Sequence, residues 1–259
     1  MEDKPSLEDT LLLMRDLRAR CEWDAAQTHE SLRPYLIEEA YEVDDAIRAG
    51  DDRMLREELG DLLFQVLFHS VVAEERGAFD IRDVAEHFIT KMKGRHPHLY
   101  GQGARQPWEQ MKAKKRASIV DGLPADLPGL HRAFRLQDRA AGVGFDWPDV
   151  EGPMSKVEED LHEVRAEVEA RGPLPAGGAP NYNAAHDRVE EEIGDLLFAV
   201  VNLSRKAGVH PAIALDKANV KFARRFGAVE KMAGERGLKV GEASLEQLDE
   251  LWDEVKQTE

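Results

Sequence analysis

The sequence predicts an all-α protein made of two related repeats, each similar to a four-helix bundle. No segment alternates apolar and polar residues with a period of two over a useful length, so no sheet is expected. Apolar residues instead recur at helical spacing nearly throughout the chain. A segment at residues 56–66 also returns at residues 190–200. The shared positions are Glu57, Glu58, Gly60, Asp61, Leu62, Leu63 and Phe64, which recur as Glu191, Glu192, Gly194, Asp195, Leu196, Leu197 and Phe198.

The first repeat contains signals for four helices. Ser6 and Asp9 have the spacing of an N-cap pair at the start of the first helix. Residues 23–29 are interpreted as a loop, and Gly50 suits a left-handed C-cap at the end of the second helix. Pro97 ends the fourth helix, because the residue before a proline avoids helical geometry. The predicted helices cover residues 6–21, 32–50, 52–77 and 80–94.

The second repeat follows the same plan after a connector. Pro211 suits the first position of a helix, and Ser244 with Gln247 has the spacing of a capping box. A loop rich in glycine and proline is expected at residues 172–180. The predicted helices cover residues 108–117, 130–142, 154–171, 187–206, a segment from 211 onward, and 244–252. The domains are therefore a first repeat at residues 1–100, a connector at 101–148 and a second repeat at 149–259.

The composition narrows the classes of partner and compartment. The chain has 51 acidic and 35 basic residues, a formal net charge of -16, and such a surface repels nucleic acid and anionic membranes. Neither is expected as a partner. The single cysteine excludes an internal disulfide and fits a reducing compartment. No secretory leader or membrane span is expected from the sequence, and a cytoplasmic location is predicted.

Carboxylates accumulate beside the apolar run of the first repeat. Residues three or four apart share one face of a helix. If the two helices are antiparallel neighbours, as a turn around Gly50 allows, four carboxylates meet, and like charges at that distance favour a cation between them. Oxygen ligands alone select a hard ion, Mg²⁺ or its substitute Mn²⁺. The predicted ligands are Glu39, Glu42, Glu58 and Asp61.

The second repeat offers carboxylates at the same spacings within each helix. The predicted ligands there are Asp160, Glu163, Glu192 and Asp195. Acidic runs on helices are more often solvated faces than metal sites, and that reading stays open for either cluster taken alone. The duplication favours metal binding, because Asp61 and Asp195 each directly precede a Leu-Leu-Phe run at the edge of an apolar helix.

Basic and aromatic residues can complete a phosphate site. Lys221 and Arg225 lie four residues apart on one helix, and Lys91 and Arg95 repeat that spacing in the first repeat. Lysine and arginine neutralise polyphosphates, and arginine binds them with bidentate geometry. A solvated basic face is an equally good reading of either pair alone. Trp252 can stack on a nucleotide base or pack in a core.

With these residues in place, the chain closely resembles the MazG family of nucleoside triphosphate pyrophosphohydrolases. The family pattern is Glu-Glu-x-x-Glu on one helix and Glu-x-x-Asp on the next, and the first repeat matches it at Glu38, Glu39 and Glu42, then at Glu58 and Asp61. The segments around Trp23-Asp24 and Gly144-Phe145-Asp146-Trp147 are also similar to the family. The second repeat departs from the pattern, because Asp160 stands where the second glutamate is usual.

The resemblance implies an all-α, Mg²⁺-dependent homodimer that hydrolyses NTPs or dNTPs to nucleoside monophosphate and pyrophosphate, in the manner of nucleotide-pool house-cleaning. An activated water would attack a phosphorus, with Glu38 or Glu159 as the candidate general base. By resemblance, Lys221, Arg225 and Trp252 match substrate-contacting positions, which favours the second repeat as the active copy. Pairing of apolar helices between repeats or between chains would also bury the apolar helix surface that one short repeat leaves exposed.

Two alternatives to this function remain open on the sequence. The first is a non-catalytic sensor of nucleotide or metal, whose repeats mainly dimerise and scaffold partners. The second is a hydrolase of another pyrophosphate compound, such as an alarmone or a damaged nucleotide.

Overall fold

The described part of the chain is helical. The computed structural model describes residues 4–101, 103–104, 118–172 and 184–258. Within those ranges it contains α-helices and no β-strand, which confirms the predicted all-α class. The helices are α1 (Leu7–Arg20), α2 (Glu22–Ala26), α3 (His29–Ala49), α4 (Asp52–Glu75), α5 (Ile81–Arg95), α6 (Pro97–Tyr100), α7 (Gly129–Gly142), α8 (Glu151–Arg171), α9 (Ala184–Lys206), α10 (Pro211–Glu235) and α11 (Leu245–Gln257).

The chain divides into two compact units, Met1–Arg105 and Gln106–Glu259. The predicted helix at residues 108–117 lies outside the described residues, as does nearly all of the predicted loop at 172–180. Helix α7, which falls in the predicted connector, packs against α9 and α10 of the second unit. None of the described helices combines the length and the apolar character that a membrane crossing requires.

The first unit begins with a capped helix. The Ser6 hydroxyl accepts a hydrogen bond from the backbone N–H of Asp9, while the Asp9 carboxylate accepts one from the Ser6 N–H, so the predicted N-cap pair is confirmed. The predicted loop at 23–29 is wrong, because α2 occupies residues 22–26 and α3 already begins at His29. Thr28 and Ser31 form a capping box that starts α3 earlier than its apolar pattern indicates.

A tight turn places α4 beside α3. Gly50 ends α3 with a φ of 66°, the left-handed conformation that glycine adopts without steric cost. Asp51 then caps α4 by accepting hydrogen bonds from the backbone N–H groups of Arg53 and Met54. Because only Gly50 and Asp51 separate the two helices, α3 and α4 run antiparallel and pack along each other.

The core of the first unit lies under α4. Phe68 is completely buried, with Met14 of α1 and Leu32 of α3 nearly so. Burial of one such side chain contributes about 1.5–3 kcal/mol to folding. Leu63 and Phe64 of the duplicated segment are half-buried and pack against this core. These two residues therefore hold α4, which carries Asp61, against the core.

In the second unit, α8 and α9 form an antiparallel pair. The Arg188 guanidinium of α9 contacts Glu167 of α8, with Nε 2.8 Å from Oε2. A separate core joins α10 to α11 and is made of Val229, Ala233, Leu251 and Val255. The predicted Pro211 start of α10 and the Ser244 capping box of α11 are both confirmed.

Candidate metal centres

The first cluster joins residues of two helices. Glu39 of α3 and Glu58 and Asp61 of α4 each offer a carboxylate oxygen, and these three oxygens lie within 4.8 Å of one another. Glu42 lies one turn after Glu39 on the same face of α3, and its charge contributes to the raised pKa of Glu39. The structure therefore brings the carboxylates that were predicted from the sequence for this unit to one place on the α3–α4 pair.

Burial and like charge both act on this cluster. The pKa of Glu39 is raised, first by its partial burial and then by the negative charges of Asp61, Glu42 and Glu58. The pKa of Glu58 is raised by the same two causes, and Glu42 and Asp61 are the carboxylates that contribute most. A bound cation would reverse the like-charge contribution, because it favours the ionised form of every carboxylate that faces it.

The second cluster lies along α8. Glu159, Asp160 and Glu163 offer carboxylate oxygens within 4.8 Å of one another. Asp160 is buried, with 1% of its surface exposed, whereas Glu159 and Glu163 are exposed. Glu192 of α9 faces this cluster, since burial and then the charges of Glu163 and Asp195 raise its pKa.

Lys156 lies directly in the second cluster. Its ammonium nitrogen is 2.8 Å from Glu159 Oε1 and 2.8 Å from Asp160 Oδ1. Asp160 Oδ1 is therefore charge-paired with Lys156 within the same helix. These two carboxylates raise the pKa of Lys156 above its ordinary value. Sequence reasoning missed Lys156, although its spacing of three and four residues from these acids is a usable signal.

The two candidate general bases differ in position. Glu159 is a member of the second cluster. Glu38 is exposed on α3, next to Glu39, and is not among the residues whose oxygens converge in the first cluster. Its side chain lies within one residue of the cluster along the chain but on a different part of the helix surface.

The basic and aromatic candidates lie on the later helices of each unit. The guanidinium carbon of Arg225 (α10) is 5.9 Å from the ring centre of Trp252 (α11), a cation–π distance. Trp252 is half-buried and also contacts Phe222, with ring centres 5.4 Å apart. Lys221 is exposed one turn before Arg225, and on α5 of the first unit Lys91 is exposed and Arg95 half-buried.

Comparison with known proteins identifies the family. The MazG nucleotide pyrophosphohydrolase domain matches residues 27–100, which include the first cluster. A nucleoside triphosphate pyrophosphohydrolase/pyrophosphatase MazG of Thermotoga maritima is 44% identical over 258 residues, covering 96% of this chain and 95% of that protein. The chain belongs to the MazG family. The resemblance drawn from the sequence is thereby confirmed, and the chain is assigned to a family of enzymes.

Two further relatives bear the name nucleoside triphosphate pyrophosphohydrolase. A nucleoside triphosphate pyrophosphohydrolase of Escherichia coli (strain K12) is 42% identical over 258 residues, covering 95% of this chain and 94% of that protein. A protein of the same name from Mycolicibacterium smegmatis is 42% identical over 152 residues, or 54% of this chain. The first two similarities run through both units, so the second carboxylate cluster also lies within the aligned length.

Proposed function

We propose that this chain hydrolyses nucleoside triphosphates, with ribose or deoxyribose, to nucleoside monophosphate and pyrophosphate in a Mg²⁺-dependent reaction. The observation that carries the proposal is the convergence of Glu39, Glu58 and Asp61 from two helices. Membership of the MazG family supports the class of reaction, because the relatives that match the whole chain bear the name nucleoside triphosphate pyrophosphohydrolase.

The donor atoms fit a hard divalent cation. Carboxylate oxygens are the ligands that Mg²⁺ and Mn²⁺ prefer, and Mg²⁺ usually shares them with waters and substrate phosphates. When bound, the cation would offset the charge of the triphosphate and polarise the phosphorus under attack. The residues that would hold it are Glu39, Glu42, Glu58 and Asp61 in the first unit, and Asp160, Glu163, Glu192 and Asp195 in the second.

A buried oxygen supports the assignment in the second unit. Asp160 Oδ1 is buried, and the Lys156 ammonium lies 2.8 Å from it. A buried carboxylate is stabilised by a paired cation. Asp160 therefore offers a buried carboxylate that a bound metal ion would stabilise in the same way.

Protein side chains would carry the proton transfer and the binding of substrate. Glu159, or Glu38 in the first unit, would take the proton from the attacking water. Arg225 and Lys221 would contact the phosphates, and Trp252 would stack on the base. Lys91 and Arg95 would be the basic pair of the first unit. We infer that the second unit is the active copy, because its basic pair is accompanied by an aromatic side chain at cation–π distance.

The proposed enzyme is a cytoplasmic homodimer that removes unwanted nucleoside triphosphates from the nucleotide pool. Exposed apolar side chains support association with a second copy, because a monomer rarely exposes a large contiguous apolar surface. Leu197 of α9 and Phe222 of α10 are 52% and 57% exposed. The excess of acidic residues disfavours nucleic acid and anionic membranes as partners.

The test is pyrophosphate release from a panel of NTPs and dNTPs, with and without Mg²⁺, for the wild type and two glutamine variants. Glu192→Gln should abolish release if the second unit is active, and Glu58→Gln if the first is. Removal of Mg²⁺ with a chelator should abolish release in the wild type, and Mg²⁺ or Mn²⁺ should restore it.

Matched controls are one residue away from each site. Glu191→Gln and Glu57→Gln remove the same charge from the same helices without touching the proposed ligands, so both should keep wild-type activity. Full activity in the Glu58→Gln/Glu192→Gln double variant would refute the assignment. Nucleotide binding without turnover in the wild type would indicate the sensor instead, and turnover confined to alarmones or damaged nucleotides would indicate the other hydrolase.

A further inference from the structure

Two histidines of the first unit form a direct hydrogen bond between α3 and α4. His29 Nδ1 lies 2.7 Å from His69 Nδ1, and the two rings are nearly parallel, with centres 5.0 Å apart and planes at 9°. The Arg76 guanidinium lies 3.1 Å from His29 Nε2. Four nitrogens of three side chains, each able to carry a proton, thus form one short chain of contacts.

This chain of contacts fixes where each proton lies. Arginine is always a donor, so His29 Nε2 must be the acceptor and His29 carries its proton on Nδ1. That Nδ1–H donates to His69 Nδ1, which leaves the proton of His69 on Nε2. His69 Nε2 is buried and has no hydrogen-bond partner among the residues that the structure describes. The arrangement therefore requires both imidazoles to be neutral.

Protonation of either imidazole ring is incompatible with this arrangement. A second proton on His69 would go to Nδ1, where it meets the Nδ1–H of His29 at 2.7 Å. A second proton on His29 would go to Nε2, where it meets the guanidinium of Arg76. In both cases a donor would face a donor, and the contact between the helices would be replaced by repulsion.

The charged groups around the pair do not favour protonation. Burial and the neighbouring His29 both lower the pKa of His69. At the same end of α4, Glu74 is paired with Arg15 and Glu75 with Arg18, both from α1, so these two carboxylates already have cations. Arg76 contributes a further positive charge beside His29.

The pair lies on the same two helices as the first carboxylate cluster. Ten residues separate His29 from Glu39, about 15 Å at the rise of an α-helix. On α4, Asp61, Gln65 and His69 follow one another at intervals of four residues and so share a face. Gln65 is buried between them, and its Oε1 accepts no hydrogen bond within the described ranges. A polar stripe thus connects the pair to the cluster along α4.

We propose that His29 and His69 form a proton-sensitive latch, which holds the start of α3 against α4 when both rings are neutral and opens in mild acid. Opening would release the first turn of α3 and loosen the packing that aligns Glu39 with Glu58 and Asp61. This second step, an acid-dependent loss of cation binding by the cluster, rests on the proposed function. The latch itself does not.

The test is a pH titration of the metal-free full chain, with ¹⁵N-labelled histidine and long-range ¹H–¹⁵N spectra. Above neutral pH, His29 should show the tautomer protonated on Nδ1, and His69 the tautomer protonated on Nε2. As the pH falls below the ordinary histidine value of about 6.5, His69 should gain a second proton and its hydrogen bond from the Nδ1–H of His29 should be lost with it. A His29 ring protonated on Nε2 at high pH, or two rings that titrate independently, would overturn the latch.

Two variants separate the latch from simple packing. Arg76→Gln removes the obligatory donor to His29 from an exposed position, so the pH at which the latch opens should rise. His69→Leu removes the acceptor, so the Nδ1–H of His29 should stay in place, set by Arg76, but should lose the proton shift of a hydrogen-bonded N–H. His87→Gln, an exposed histidine on α5, is the control and should change neither. An unchanged opening pH in Arg76→Gln would contradict the proposal even if His69→Leu failed to fold.

Binding of Mn²⁺ alone, followed by paramagnetic broadening of resonances near Glu39 and Asp61, tests the second step. Broadening at pH 7.5 should weaken at pH 5.5, and Arg76→Gln should weaken it at a higher pH than the wild type. Absence of Mn²⁺ binding at both pH values would count against the proposed function. The histidine latch would still be tested by its own pH titration. Equal binding at both values, with the latch shown to open between them, would refute the coupling.

Discussion

The duplicated segment keeps most of its sequence in two different environments. In the first unit, Leu63 and Phe64 follow Asp61 and pack against the core that contains Phe68. In the second unit, Leu197 and Phe198 follow Asp195 and are 52% and 45% exposed. Both copies of the motif therefore form a helix with the same carboxylates, but their apolar residues differ in burial. Burial differs because it depends on which neighbouring helices pack against the motif.

The two carboxylate clusters differ in the same way. Four residues before Glu39 stands Tyr35, which packs edge-on against Trp23 with ring centres 6.2 Å apart. Four residues before Asp160 stands Lys156, which contacts Glu159 and Asp160. The first cluster contains acids held together by the fold, whereas the second contains a cation of its own. The residue four positions before the shared acid, Tyr35 on α3 and Lys156 on α8, accounts for this difference in charge.

Truncation of the paired phenylalanines should give the largest difference between the units. Phe64→Ala should lower the free energy of unfolding by about 2 kcal/mol, roughly half the cost of a fully buried phenylalanine, because Phe64 is half-buried against Phe68. Phe198→Ala should change it by less than about 0.5 kcal/mol, as exposed substitutions do. Denaturant unfolding of the full chain at low protein concentration measures both.

The same pair of variants tests whether a second copy covers Phe198. If it does, the cost of Phe198→Ala should grow with protein concentration, because association stabilises the folded chain by mass action. Equal costs for the two variants at every concentration would remove the contrast between the units.

Helix caps should behave alike in the two units, since their partners lie within the same four residues. Ser6→Ala and Ser244→Ala should each lower the free energy of unfolding by about 1 kcal/mol, because each hydroxyl accepts a hydrogen bond from the backbone of its own helix. Thermal unfolding checks both variants, with Ser155→Ala, an exposed serine within α8, as the control. A difference above about 1 kcal/mol between the two caps would show that tertiary context governs even these local contacts.

Such local features are what the sequence predicts well. The Ser6 and Ser244 boxes, the left-handed Gly50 and the Pro211 start depend on interactions within one turn, and each was predicted. The spacing of three between paired carboxylates is equally local. The all-α class follows from the same helical signals.

Features that depend on contacts between different helices escaped prediction. Helix α2 was interpreted as a loop, yet Asp24 within it is buried and its carbonyl accepts a hydrogen bond from Arg18 of α1. The contact between His29 and His69 joins residues 40 apart in sequence. The exposure of Leu197 and Phe198 likewise depends on packing, which an apolar pattern does not specify.

Replacement of Tyr35 by lysine should give the first cluster a cation of its own, as the second cluster has in Lys156. Tyr35→Lys places an ammonium one turn from Glu39, so the raised pKa of Glu39 should fall. The loss of the contact with Trp23 should cost about 0.5–1.5 kcal/mol. Carbon-13 NMR of the glutamate carboxyls follows the titration, and Tyr35→Met separates the loss of the ring from the gain of charge. A pKa of Glu39 that stays equally raised in Tyr35→Lys would show that burial alone sets it.

Removal of one acid from the first cluster should have the smallest effect, and its sign depends on pH. The pKa of Glu39 is raised on folding, so the folded chain binds more protons than the unfolded chain between the unfolded value near 4.5 and the higher folded value. The contribution of Glu39 to stability is therefore greatest below that window and is lost as the pH rises through the folded pKa. Glu39→Gln should stabilise the metal-free chain at pH 7 by a few tenths of a kcal/mol after screening by solvent, and the gain should vanish near pH 4. Thermal unfolding at both pH values measures the difference, with Glu38→Gln as the neighbour outside the cluster.

Because Mg²⁺ would favour the ionised carboxylate, addition of Mg²⁺ should turn the stabilisation at pH 7 into a relative loss. A gain that persists with Mg²⁺ would mean that Glu39 does not face the ion.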